Sequence, residues 1–175
     1  KRSAVMATVV HTLPKDPDHI IVQYNKRYVK HADLYKMRVD RKWNHRQEKN
    51  QSMELIAKNP GDVQDWLVDH DGDVRGAVAI KGLNGKFLYK EKQDETFKVI
   101  REFNILDERM TPIMFDYDNK TMFVSSNKGR DKAAIYKYDP KTDVMGEMLY
   151  GHDNVDVTNL MTSRKQQKII GVSYS

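Results

Sequence analysis

The sequence predicts an all-β protein, a partial β-propeller of about three and a half four-stranded antiparallel blades. Three observations predict it. Four short apolar runs recur, His19 to Tyr24, Val74 to Ile80, Thr121 to Ser126 and Lys168 to Tyr174, and aligned on Ile20, Val74, Met122 and Ile169 they lie 54, 48 and 47 residues apart. Each follows a polar turn that is itself preceded by another apolar run. Apolar spacing of helical period is sustained nowhere for three turns. Repeats of this length with several strands in each are the pattern of a propeller.

The chain reads as one domain, residues 1–175, in approximate units 4–59, 63–104, 107–152 and 155–175. In the first unit, Ala4 to Thr12 is rich in Val and Thr and reads as a strand. Leu13 to Asp18 is the turn, where Pro14 and Pro17 fix φ and Asp16 and Asp18 bond local backbone. His19 to Tyr24 is the second strand. Asp33 to Val39 is the third, with Leu34, Lys36 and Arg38 alternating against Tyr35, Met37 and Val39. The polar stretch Asp40 to Gln51 reads as a long exposed hairpin loop. Met53 to Lys58 closes the unit, and Pro60-Gly61 punctuates it.

The second unit has strands at Val63 to Val68, Val74 to Ile80, Lys86 to Lys90 and Phe97 to Phe103. Trp66 is expected to anchor its core, and Asn84-Gly85 is a hairpin dipeptide near a strand start. The third has strands at Thr111 to Tyr117, Thr121 to Ser126, Ala133 to Asp139 and Val144 to Tyr150. The fourth shows two, Val157 to Thr162 and Lys168 to Tyr174, with Ser163 to Gln167 as their turn. An open arc of blades exposes strand edges, so two copies are expected to pair edge to edge. Sedimentation at several concentrations reads this out.

Thirty basic residues stand against 25 acidic ones, a formal charge of +5. That alone would motivate a nucleic-acid partner, whose binding would weaken steeply with salt. The charges are interspersed, with Asp and Glu close to most Lys and Arg, so they read as a solvated surface and no nucleic acid is expected. The absence of cysteine excludes disulfides and thiolate metal sites. No apolar stretch approaches the ~20 residues that span a bilayer. No membrane partner and no cofactor are expected, and the compartment, bacterial cytoplasm or periplasm, stays open.

The run Asp65-Trp66-Leu67-Val68-Asp69-His70-Asp71-Gly72-Asp73-Val74-Arg75 resembles the propeller region of bacterial serine peptidases of the prolyl oligopeptidase family. So do Pro112 to Asp116, Phe123 to Asn127, Arg130 to Tyr136, Asp153 to Val157 and Ile170 to Tyr174. The resemblance covers most of the chain from about Leu13 onward and implies a propeller that caps an α/β-hydrolase domain and admits peptides to a Ser-Asp-His triad. No hydrolase domain is present here. A nucleophile elbow G-x-S-x-G needs a strand-turn-helix setting. Gly171-Val172-Ser173-Tyr174-Ser175 comes nearest, yet it lacks the last Gly and lies in a strand repeat, so no catalytic residue is assigned. The implied partners are a peptide substrate and the missing α/β-hydrolase domain. The alternative is a non-enzymatic scaffold of the TolB type that binds a protein partner.

Arg130 and Asp131, in a loop between strands, are the candidate substrate contacts, because such loops rim a propeller and an Arg there can take a carboxylate bidentately. Asp69, Asp71 and Asp73 resemble the start of a calcium loop, but the bidentate Glu required at the loop's end is replaced by Ile80. They read instead as a tight turn with Asp71-Gly72 at its bend, and no metal site is assigned. The six histidines form no zinc motif. Tyr24, Tyr35, Tyr89, Tyr136, Tyr138, Tyr150 and Tyr174 fall at strand positions and are expected to pack within and between blades.

Overall fold

The computed structural model describes residues 6–39 and 53–175. The loop expected at Asp40 to Gln51 lies outside the described residues. Four antiparallel sheets follow one another along the chain. The first holds β1 (Ala7–His11), β2 (His19–Tyr28), β3 (His31–Arg38) and β4 (Met53–Ala57). The second holds β5 (Val63–Val68), β6 (Val74–Lys81), β7 (Asn84–Tyr89) and β8 (Lys98–Asn104). The third holds β9 (Met110–Phe115), β10 (Met122–Ser126), β11 (Ala134–Asp139) and β12 (Val144–Tyr150). The fourth is the pair β13 (Val157–Ser163) and β14 (Lys168–Tyr174). This is the all-β partial propeller that the repeat predicts. The four recurring apolar runs are the second strands β2, β6, β10 and β14.

Each sheet is joined in sequence order, so every connection within it is a hairpin. The first strands line up side by side, β5 touching β1 on one side and β9 on the other. Alternation along the strands sends apolar side chains to both faces of the middle sheets, where they meet the neighbouring sheet. Three cores result. Leu13, Ile21, Leu34, Val63, Trp66 and Ala77 fill the space between the first and second sheets. Leu67, Phe87, Met110, Phe115, Met122 and Tyr138 fill that between the second and third. Phe123, Ile135 and Val157 join the third sheet to the β13–β14 pair.

Arginine clamps reinforce these seams. Arg27 grips the fully buried Asp33 carboxylate with Nε and Nη2 at 2.8 and 2.9 Å. The backbone N–H of Asn59 donates to the same carboxylate at 2.8 Å, and the Asn59 side chain donates onward to the Val63 carbonyl at 2.7 Å. The first sheet is thereby tied to the strand that opens the second. Arg101 on β8 donates to Asp143 at 2.7 Å, while the Tyr138 hydroxyl donates to the same oxygen at 2.6 Å. That pair links the second and third sheets.

The Arg27 guanidinium holds Asp33 below the usual carboxylate range, with burial opposing it and the Asn59 amide assisting. A carboxylate with a lowered folded value stabilises the protein above its ordinary pKa, and that stability is lost as pH falls through the folded value. The urea midpoint is therefore expected to fall below about pH 4. Asp33→Asn should lower the midpoint at neutral pH and flatten this acid limb. An unchanged acid limb would remove Asp33 as its source.

The Asn84-Gly85 dipeptide sits elsewhere than a hairpin bend. The bend between β6 and β7 is Gly82-Leu83, with Lys81 paired to Asn84 and Gly82 at φ +61°. Gly85 serves packing: it pairs with Phe103, and a Cβ there would fall 2.2 Å from the Phe103 ring. Tyr150 and Tyr174 also depart from expectation, at 41% and 70% exposed. Tyr150 ends the outermost strand of its sheet, and Tyr174 ends β14, which has no strand beyond it among the described residues.

Candidate functional site

The turns between the first and second strands of all four sheets gather at one end of the axis. Each holds one residue with positive φ: Leu13 (+44°), Gly72 (+94°), Asn119 (+55°) and Gln167 (+50°). Only at Gly72 is the side chain absent, and there a Cβ would lie 2.6 Å from Leu13 Cδ2 of the neighbouring turn. Between these turns opens a mouth of about 400 Å³, lined by His11, Lys15, His70, Asp71, Tyr117 and Arg164 among others. Every sheet contributes to it.

His70 is held firmly. Its backbone N–H donates to Asn119 Oδ1 at 2.9 Å, and its ring Nε2–H donates to the Phe115 carbonyl at 3.0 Å. Its ring stacks on Tyr117 at 4.4 Å and 11°, which gives the mouth a flat aromatic wall. His11 accepts a hydrogen bond at Nδ1 from the Leu13 backbone N–H at 3.1 Å, so its proton resides on Nε2. Burial lowers its pKa, and the positive charge of Arg164 lowers it further against the opposing pull of Asp69. His11 is thus a neutral donor at the mouth.

The acidic turn Asp69 to Asp73 is built as a turn. Asp69 Oδ1 accepts from the backbone N–H groups of Asp71 and Asp73 at 2.9 and 3.0 Å. Carboxylate oxygens of Asp69, Asp71 and Asp73 lie within 4.8 Å of one another. Each already faces a cation: Lys15 meets Asp71 at 2.5 Å, Lys92 meets Asp73 at 2.6 Å, and Arg75 lies 3.5 Å from Asp69. The Lys15 contact holds Asp71 below the usual carboxylate range. Arg75 reaches further, donating to the Asn119 carbonyl at 2.5 Å and to Glu91 at 2.9 Å, with Tyr89 Oη also in contact. Burial pushes the Tyr89 phenol up to about 12.

Other hollows flank the seams. A cleft of about 880 Å³ between the first and second sheets carries both charge signs, with Lys36 paired to Asp16 at 2.7 Å. At the opposite end of the axis a groove of about 610 Å³ is lined by Val78, Ile80, Phe103, Leu106, Arg109 and Ile113 among others. Arg130 and Asp131 lie at that same end, in the loop joining β10 to β11. Arg130 Nε donates to the Lys132 carbonyl at 3.3 Å and Nη1 faces Met148 Sδ at 3.2 Å, while Asp131 pairs with Lys132 at 3.5 Å. They line neither of the two openings at the ends of the axis. The mouth residues His11, Tyr117 and Arg164, and Arg109 at the far end, escaped sequence reasoning. The signal was present in the repeat: three of the four sit in or beside a first-to-second turn.

No family model matches the chain, and no curated protein matches it. Solved structures do. A prolyl endopeptidase, from work on inter-domain dynamics in catalysis and specificity, superposes with a TM-score of 0.59 at 10% identity, over 89% of this chain and 23% of that one. TolB from Acinetobacter baumannii superposes with a TM-score of 0.56 at 14% identity, over 91% of this chain and 36% of that one. The chain therefore spans well under half the length of either, and the shared feature is the β-propeller fold.

Proposed function

We propose that this chain is the non-catalytic, substrate-gating propeller segment of a serine peptidase similar to prolyl oligopeptidase. The observation that carries the reading is the opening at the end of the axis, walled by turns from all four sheets. The motif resemblance and the likeness to a prolyl endopeptidase support it. On this reading the propeller screens peptides by size and orients them, while bond cleavage belongs to an α/β-hydrolase domain. There serine attacks, histidine acts as base and an oxyanion hole holds the tetrahedral intermediate. In this proposal Arg130 and Asp131 would meet peptide at the loop rim of the far end, outside the two axial openings.

The likeness to TolB favours a second reading, a scaffold that docks a protein partner without hydrolysis. A size test separates them. The protein encoded by the whole gene is offered a quenched fluorescent peptide, free or fused to a folded protein. Gating predicts that only the free peptide is cleaved. Equal cleavage of both would overturn gating, and cleavage of neither would favour the scaffold.

A further inference from the structure

Among the described residues, the mouth holds one positive charge with no ion-pair partner. Lys15 is matched by Asp71, Lys92 by Asp73, and Arg75 by Asp69 and Glu91. Arg164, on the turn between β13 and β14, makes no ion pair among the described residues, and its charge acts on His11 across the opening. The His11 ring of the first sheet lines the same opening, with its Nδ1 occupied by the Leu13 amide, which leaves Nε2–H as a donor. The His70–Tyr117 stack, from the second and third sheets, lines it as well. The site is thus one guanidinium fork, one neutral imidazole donor and one aromatic wall, contributed by four separate sheets.

We propose that this mouth binds a single carboxylate of an extended peptide, with Arg164 taking the charge and His11 Nε2–H donating a hydrogen bond. A guanidinium presents parallel N–H groups that match a planar carboxylate. One unmatched positive charge suits one negative charge better than a phosphate dianion, because the acidic side chains nearby, Asp69 and Asp71, repel the second charge. The stacked rings offer apolar contact to the residue beside the carboxylate. A gated peptide and a docked protein segment supply the same group, so the site does not depend on the peptidase reading. The carboxylate is either a C-terminus or an Asp or Glu side chain.

The test follows the ring protons of His11 and His70 by NMR while the protein is titrated with three probes. These are acetyl-Ala-Ala-Phe-Ala as the free acid, the same peptide as its C-terminal amide, and acetyl-Ala-Glu-Phe-Ala amide. The free acid or the Glu peptide is expected to shift the His11 ring and to bind about tenfold more tightly than the neutral amide. Whichever of the two binds identifies the source of the carboxylate. Arg164→Gln, an exposed turn substitution, should bring that affinity down to the level of the amide. Lys165→Gln, one residue along and away from the mouth, should leave it unchanged. Equal binding of acid and amide, an equal loss in Lys165→Gln, or tighter binding of inorganic phosphate than of either acidic peptide would each overturn the proposal.

Discussion

Replacing Arg75 with Met is expected to lower the stability of the protein by about 3–5 kcal/mol, since it strips the cation from a buried carboxylate. Arg75 and Asp69 side chains are 5% and 1% exposed, and Asp69 Oδ2 has no hydrogen bond, only the facing guanidinium. The Arg75 fork also joins three elements. It reaches Glu91 beyond β7, the Lys90 carbonyl at 3.3 Å, and the Asn119 carbonyl on the turn of the third sheet. Its guanidinium lies over the Tyr89 and Phe115 rings at 5.3 and 5.1 Å. Met fills similar volume and keeps the apolar contacts, so the loss reports the charge and its hydrogen bonds. Thermal unfolding should fall by roughly 10 °C. Asp69→Asn in the same background should recover part of the loss, because it removes the orphaned charge. A loss under about 1 kcal/mol would mean that the pair behaves like a surface ion pair.

Phe87→Ala should cost about 3–5 kcal/mol, the range for a fully buried aromatic truncated in a core that relaxes only partly. Phe87 is 0% exposed and meets Tyr138 of the third sheet edge-on at 5.9 Å. It stands in the seam between two four-stranded sheets, so its loss uncouples the centre of the stack. In a repeat architecture each unit leans on its neighbours alone. Amide exchange should therefore rise across both the second and third sheets in Phe87→Ala. Val157→Ala, in the seam that holds the β13–β14 pair, should raise exchange in that pair with little effect elsewhere. Identical exchange patterns in the two variants would show that the sheets unfold as one unit.

The strand order was readable in the sequence because hairpin repeats are local. Val63 to Val68 and Val144 to Tyr150 were placed to the residue, and the four repeated runs all proved to be second strands. Strand ends drifted by one to four residues where polar residues continue the ladder, as in β2, which runs on to Tyr28. The clamps were not readable. A strand arginine looks solvated by type, and the partners of Arg75 and Arg101 across the seam lie 44 and 42 residues away in the chain. The same distance hid the mouth. His11, His70, Tyr117 and Arg164 share no motif, and only the succession of neighbouring sheets brings their turns together. Arg130 and Asp131 stand out in the sequence by loop position, which says where a residue sits along the chain and nothing about which opening it faces.

The most direct measurement is labelling with a serine-reactive fluorophosphonate, run with peptide hydrolysis on this chain beside the protein encoded by the whole gene. A gating propeller predicts labelling and turnover by the latter and neither by this chain. Labelling of this chain by itself would contradict the account outright. Labelling of neither would contradict the peptidase reading and leave the propeller as a docking scaffold.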